Sequence, residues 1–160
     1  MKDFIILADT RQQKDNHIIK EFDKQGFLHI RTGLPSADYM AIRFDKEKGF
    51  YMDYTTLIDT KKDLEEISSN LCNSKNHERI KREIAKAREL GCKNFIFLIA
   101  NDKIETIQDL QNWSSKRTRV TGKVLCKVMN TMSKKYGIRF MICKKRKMGE
   151  KVIKILERKK

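Results

Sequence analysis

Asp38, Asp59 and Lys61 are the residues whose types best suit them to chemistry. Two carboxylates and an ammonium brought to one place can hold a hard divalent cation through oxygen and set a positive charge beside a phosphate. Magnesium is typically held by one or two carboxylates together with water and substrate phosphate. It lowers the pKa of a ligated water and neutralises phosphoryl oxygens during in-line attack. The chemistry this trio could support is therefore phosphodiester hydrolysis. Asp38 and Asp59 would be the ligands of Mg2+, for which Mn2+ is expected to substitute, and Lys61 would orient water or stabilise the anionic transition state.

The elements that must position these groups follow from periodicity. Leu57, Asp59 and Lys61 are spaced by two, so on a strand they leave one face, with Ile58 and Thr60 on the other. Asp38 to Phe44 reads as a second strand, and Asp45-Lys46-Glu47-Lys48-Gly49 as the polar connection to Phe50–Thr60, giving an antiparallel hairpin. Its open end brings Asp38 toward Asp59. Simple pairing leaves an offset of about three residues, roughly 10 Å along a strand, which twist or a bulge must close. Taken alone, an Asp-x-Lys on a strand is more often an ordinary surface ion pair worth little.

Around the hairpin, Phe4 to Ala8 is a continuous apolar run that delivers Asp9 and Arg11 to the end of a buried strand. A helix over 15–25 buries Ile18, Ile19 and Phe22 and stops at Gly26; a strand over 27–32 follows. After Lys61 a helix places Leu64, Ile67 and Leu71 inward, and a second, about 76–90, buries Ile80, Ile84 and Ala87, with Arg79 and Glu83 on one flank. Residues 94–100 form a central strand, and Thr106 with Asp109 caps a short helix reaching Trp113, which is expected to be buried. A helix over 121–136 carries the stripe Val124, Leu125, Val128, Met129 and Met132. A strand over 138–143 and a closing helix through Val152, Ile153 and Leu156 complete the chain. The alternation indicates an α/β fold, a central mixed β-sheet flanked by helices, in a single domain over 1–160.

One Pro and seven Gly in 160 residues argue against disordered linkers. No apolar stretch approaches the roughly 18 residues of a membrane span, so a soluble cytoplasmic protein with no membrane partner is expected. Cys72, Cys92, Cys126 and Cys143 lack zinc-ligand spacing and are expected to be reduced and mostly buried. The charge is segregated: residues 114–160 hold 17 Lys and Arg against two acids, net +15, while residues 1–113 hold 19 of each sign. Such a field favours a polyanion, first of all nucleic acid. Lys116, Arg117 and Arg119 in one polar loop, and Lys144, Lys145, Arg146 and Lys147 in another, are the candidate phosphate contacts.

Taken in order, the segments Asp9-Thr10-Arg11-Gln12, Ala37-Asp38-Tyr39 and Asp59-Thr60-Lys61, with the Arg-bearing helix His77–Glu83, resemble the XPF-type nuclease domain of the PD-(D/E)xK superfamily over roughly residues 3–100. That family carries Asp-x-Arg-Glu, then Gly-Asp-Tyr, then Glu-Arg-Lys. Here Gln12 replaces a Glu, Ala37 a Gly, and Asp59-Thr60 replaces Glu-Arg. An Asp expected four residues after the Lys is represented by Glu65, with Asp63 nearby. The resemblance implies a restriction-endonuclease-like core and a DNA endonuclease acting on branched or flapped duplexes, of the small stand-alone kind carried by bacteriophages and mobile elements. It assigns Asp9 to assist the metal shell and Arg11 and Arg79 to contact phosphates, and it implies a homodimer as a further partner, dimers being usual in the family. The competing reading is a non-catalytic DNA-binding module on the same scaffold.

Overall fold

The computed structural model describes residues 2–158; Lys159 and Lys160, counted in the basic C-terminal part, lie outside the described residues. In chain order the elements are β1 (Phe4–Asp9), α1 (Asn16–Lys24), β2 (His29–Thr32), β3 (Tyr39–Asp45), β4 (Gly49–Lys61), α2 (Leu64–Cys72), α3 (Ser74–Glu89), β5 (Asn94–Ala100), α4 (Gly122–Tyr136), β6 (Arg139–Cys143) and α5 (Met148–Glu157), with short 3-10 helices at Gln108–Asn112 and Lys145–Lys147. The strands form one mixed sheet in the order β2-β1-β3-β4-β5-β6. β3 is antiparallel to both neighbours and the remaining pairs are parallel. The α/β architecture read from the alternation is the one observed.

Strand parity divides the apolar residues into two layers. On β5, Phe95, Phe97 and Ile99 enter a core shared with Leu64, Ile67, Ile80, Ile84, Leu125 and Met129 of α2, α3 and α4. Ile96, Leu98 and Ala100 enter the opposite core with Ile18 and Phe22 of α1 and Val152 and Ile153 of α5. Side-chain caps start the helices that border the site. Asp63 accepts from Glu66 N at α2, Asn73 from Asn76 N at α3, and Thr121 from Val124 N at α4. Three expectations are corrected. Val124 lies at the solvent edge of its stripe and is 48% exposed, of the four cysteines only Cys92 is buried, Cys72 being exposed and Cys126 and Cys143 half-buried, and β2 begins at His29 rather than residue 27. Trp113 packs half-buried against the first core.

The hairpin resolves the offset anticipated between Asp38 and Asp59. Near the turn the register pairs Ala41 with Asp53, but Tyr39 pairs with Ile58. Tyr54 to Leu57 on β4 thus face only Met40 on β3, a bulge of three extra residues. Asp53 organises it. Its Oδ1 accepts from Thr55 N at 3.0 Å and Thr55 Oγ1 at 2.5 Å, while Oδ2 accepts from Arg43 Nε at 2.6 Å. On the far side Lys93 N donates to Thr55 O, and β5 takes up parallel pairing from Thr56 onward.

Candidate active site

Beyond the bulge the carboxylates converge. Asp59 and Lys61 alternate with Leu57 and so stand on the face covered by α2 and α3, the Lys61 ammonium 5.6 Å from the centre of the Phe97 ring. Asp38 N donates to Ile58 O, which docks the residue beside the end of β4. Ala37 makes the approach possible at a cost: its φ is +63°, in the left-handed region that a glycine enters freely.

Asp38 is held by one oxygen. Its Oδ2 accepts from Thr60 N at 2.7 Å, Thr60 Oγ1 at 2.8 Å and Gln12 Nε2 at 3.4 Å, and Gln12 Nε2 also donates to Thr60 Oγ1 at 2.8 Å. Among the described residues no hydrogen bond occupies Oδ1. Asp59 Oδ1 likewise accepts from Lys61 Nζ at 2.9 Å, and among the described residues no hydrogen bond occupies its Oδ2. Burial, then the neighbouring Asp59 charge, push the Asp38 carboxyl up to about 7 in spite of the Thr60 bonds. For Lys61 burial works against the charge, but Asp59, with Glu66 and Asp38, outweighs it and raises the pKa above the usual lysine value. Lys61 is therefore an ammonium at neutral pH, a cation beside the carboxylates and not a base.

A carboxylate not singled out as a site residue completes the surroundings. Glu83 on α3 is half-buried, and its pKa is raised by burial and by Asp59, against the opposing charges of Lys61, Arg79 and Arg11. Because Arg79 and Glu83 share a flank, turning Arg79 toward the site necessarily brings Glu83 with it. Arg79 itself is exposed.

Asp9 plays a bracing part in this structure. Its Oδ1 accepts from Leu34 N at 3.0 Å and its Oδ2 from Arg11 Nε at 2.6 Å, so both oxygens are engaged in holding the loop that leads to Asp38. Arg11 also donates to Leu34 O, yet its side chain remains 70% exposed. Asp63 and Glu65 take other work: Asp63 caps α2, while Glu65 accepts from Ser115 Oγ at 2.7 Å and Lys116 N at 2.6 Å. Glu65 thus pins the basic loop, which the Ser114–Thr121 bridge closes at its base. Arg117 borders a cleft that Lys61 also lines, whereas Lys116 and Arg119 are exposed and lie outside its lining. In the second basic segment only Lys145 borders that cleft. Lys144 pairs with Glu105, Lys147 with Glu150, and Arg146 is exposed.

The ERCC4 domain family matches residues 8–156. The chain belongs to that family. The match embraces all three motifs and the basic C-terminal part, beyond the residues over which the motifs alone carry the XPF-type resemblance. Among solved structures, XPF from Aeropyrum pernix superimposes with a TM-score of 0.60 at 16% identity, over 94% of this chain. At that identity the likeness is one of fold, and this ERCC4 chain spans 62% of the length of the Aeropyrum protein. Among curated proteins no sequence matches significantly.

The donor set fits a magnesium-type cation. Among the described residues no group of three or more ligating side chains is gathered. Two unengaged carboxylate oxygens on mutually repelling aspartates are what an ion that keeps several waters and takes substrate phosphate requires. Among the described residues no helix is long and apolar enough to cross a membrane.

Proposed function

We propose that this chain is a magnesium-dependent DNA endonuclease that hydrolyses phosphodiester bonds in branched or flapped duplexes, with manganese able to substitute. The observation that carries the reading is that Asp59 lies near enough for its charge to raise the Asp38 pKa, that each aspartate keeps one oxygen outside any hydrogen bond among the described residues, and that a protonated Lys61 stands at 2.9 Å from Asp59. Asp38 and Asp59 would hold the cation, which when bound supplies an acidified water and charge neutralisation at the scissile phosphate.

The chain's own residues do the rest. Gln12 and Thr60 keep one oxygen of Asp38 tied so that the other stays fixed in direction. Lys61 orients the attacking water and offsets negative charge as the phosphate becomes five-coordinate, a role for a permanent cation. Arg11 and Arg79, exposed beside Glu83, contact the scissile or adjacent phosphates. Lys116, Arg117, Arg119 and Lys144 to Lys147 supply sequence-independent affinity for the backbone. The choice of branched DNA rests on the family.

A cleavage assay on fluorescent flap, fork and four-way-junction DNA, with magnesium or manganese, tests this. Wild type should cut and Asp59→Ala should not, while both bind. If the two behave alike and both bind DNA, hydrolysis is refuted and a non-catalytic binding module stands in its place.

A further inference from the structure

A cleft of about 810 Å3 lies along the carboxyl ends of β1, β4 and β5, lined by Gln12, Thr60 and Lys61 next to the aspartates and also by Ala100 and Met148. Crevices at such strand ends are where open α/β sheets take ligands. We propose that this cleft is a channel for a single unpaired DNA strand leaving the scissile position. The proposal rests on the nuclease reading for the identity of the ligand, and on the cleft's own chemistry for its form.

Its rim is positive. Lys14 comes from the β1–α1 loop, Lys62 from the bend between β4 and α2, Arg117 from the loop pinned by Glu65, and Lys145 from the turn before α5. Among the described residues none of these four side chains is in an ion pair. The acids on the same walls are engaged, Asp15 by the charge of Arg31, while Glu65 and Glu66 are bonded mainly by neutral donors and keep their charge. Asp15 accepts from Tyr39 Oη and Arg31 Nη2, both at 2.5 Å. Glu65 holds Ser115 and the Lys116 amide, and Glu66 accepts from Lys62 N and lies 4.0 Å from Lys61 Nζ. Arg11, Lys14, Lys61, Lys62, Arg117 and Lys145 still outnumber Asp15, Glu65 and Glu66 in the lining, so the net field seen by an entering strand is positive.

Beneath the rim the lining turns neutral and hydrogen-bonding, with Gln13, Ser68, Ser69, Asn70 and Thr118. Asn70 is 7% exposed, and its Oδ1 is buried without a partner. A buried acceptor left open in a cleft wall is paired when a ligand brings an N–H or O–H to it. Among the described residues no Phe, Tyr or Trp borders the cleft, and His17 is its one aromatic ring, so stacking on bases is a minor part of the grip. The rim cations grip phosphates, and Asn70 Oδ1 is open to an N–H on a base edge. The volume is that of pockets that enclose small ligands, enough for a short run of one strand and too little for a double helix. A flapped or forked duplex parts its strands at the branch, and the cleft starts where the cut would be made.

The test is fluorescence anisotropy in EDTA, with a short oligothymidine and a blunt duplex as probes, on wild type, the double variant Lys14→Glu/Lys62→Glu, and Asn70→Leu. Lys14 and Lys62 are exposed, so the charge variant folds irrespective of Asn70. The expected result is single-strand binding weakened about tenfold or more in the charge variant, with the slope of log K against log salt reduced by about 1.4 for two lost phosphate contacts. Duplex binding should stay within about twofold. Asn70→Leu should weaken single-strand binding with the salt slope unchanged. Unchanged single-strand affinity and slope in the charge variant overturn the channel. Without metal the readout is independent of hydrolysis. A wild type that cuts nothing but loses single-strand binding in the charge variant sinks the nuclease reading and leaves the channel standing.

Discussion

Strand β4 carries two acid–base pairs six residues apart, Asp53 with Arg43 across the hairpin at 2.6 Å and Asp59 with Lys61 along the strand at 2.9 Å. The pairs are shielded to nearly the same degree, with side-chain exposures of 14% and 11% in the first and 10% in both members of the second. Their electrostatics differ in kind. Both oxygens of Asp53 are bonded, and although burial opposes ionisation, Thr55 and Arg43 hold its pKa below the usual carboxylate value. Around Asp59 a second carboxylate is crowded in, an oxygen of each is left open, and Asp38 is pushed up to about 7. Equal burial with unequal satisfaction separates a pair that fixes the chain from one that awaits a ligand.

The comparison can be broken at several points. The largest effect expected is on cleavage: Asp59→Ala or Lys61→Ala should lower kcat by about 10²–10³-fold or more, with DNA affinity little changed in a binding titration. Next comes stability. Asp53→Ala leaves Arg43 uncompensated and releases the bulge, and should cost about 3 kcal/mol in a denaturant melt. Asp59→Ala removes repulsion as well as attraction and should cost far less. Similar losses in the two would erase the distinction.

Asp38 sharpens it through pH. Its carboxyl goes from an ordinary value of 3.8 to about 7 on folding, so the folded chain binds this proton more tightly. The associated stability is complete below about pH 4 and is lost as pH rises through about 7. Metal-free wild type should therefore fall in Tm across that window relative to Asp38→Asn, which should be flatter and more stable at pH 7 while losing activity. A wild type that gains on the variant as pH rises would contradict the strained site. The smallest effect is at Ala37: with φ at +63°, Ala37→Gly should stabilise by about 1 kcal/mol or less, read by the same melt.

Much of the scaffold was legible because burial leaves a one-dimensional trace. The unbroken apolar run Asn94–Ala100 is observed as β5 with those bounds, because both its faces are covered. The face shared by Asp59 and Lys61 was readable from alternation, and so was the size of the mismatch with Asp38. How the mismatch is absorbed was not readable, since it depends on Asp53 bonding to Thr55 and Arg43 in three dimensions. The bracing of Asp9 by Leu34 and the pinning of the basic loop by Glu65 join residues 25 and 51 positions apart, beyond any periodicity. Glu83 was within reach, since the same i to i+4 spacing that commends Arg79 carries it inward. The solvent edge of the Val124 stripe was not, because neighbouring elements decide which part of a helical face is covered.

The central claim is that Asp38 and Asp59 share one hydrated cation. It is tested most directly by a crystal soaked in manganese and measured at the metal's absorption edge. The expected result is a single anomalous peak between Asp38 Oδ1 and Asp59 Oδ2, with water completing the shell and Lys61 nearby. A manganese peak elsewhere, with both oxygens remaining unliganded at saturating metal, would contradict it.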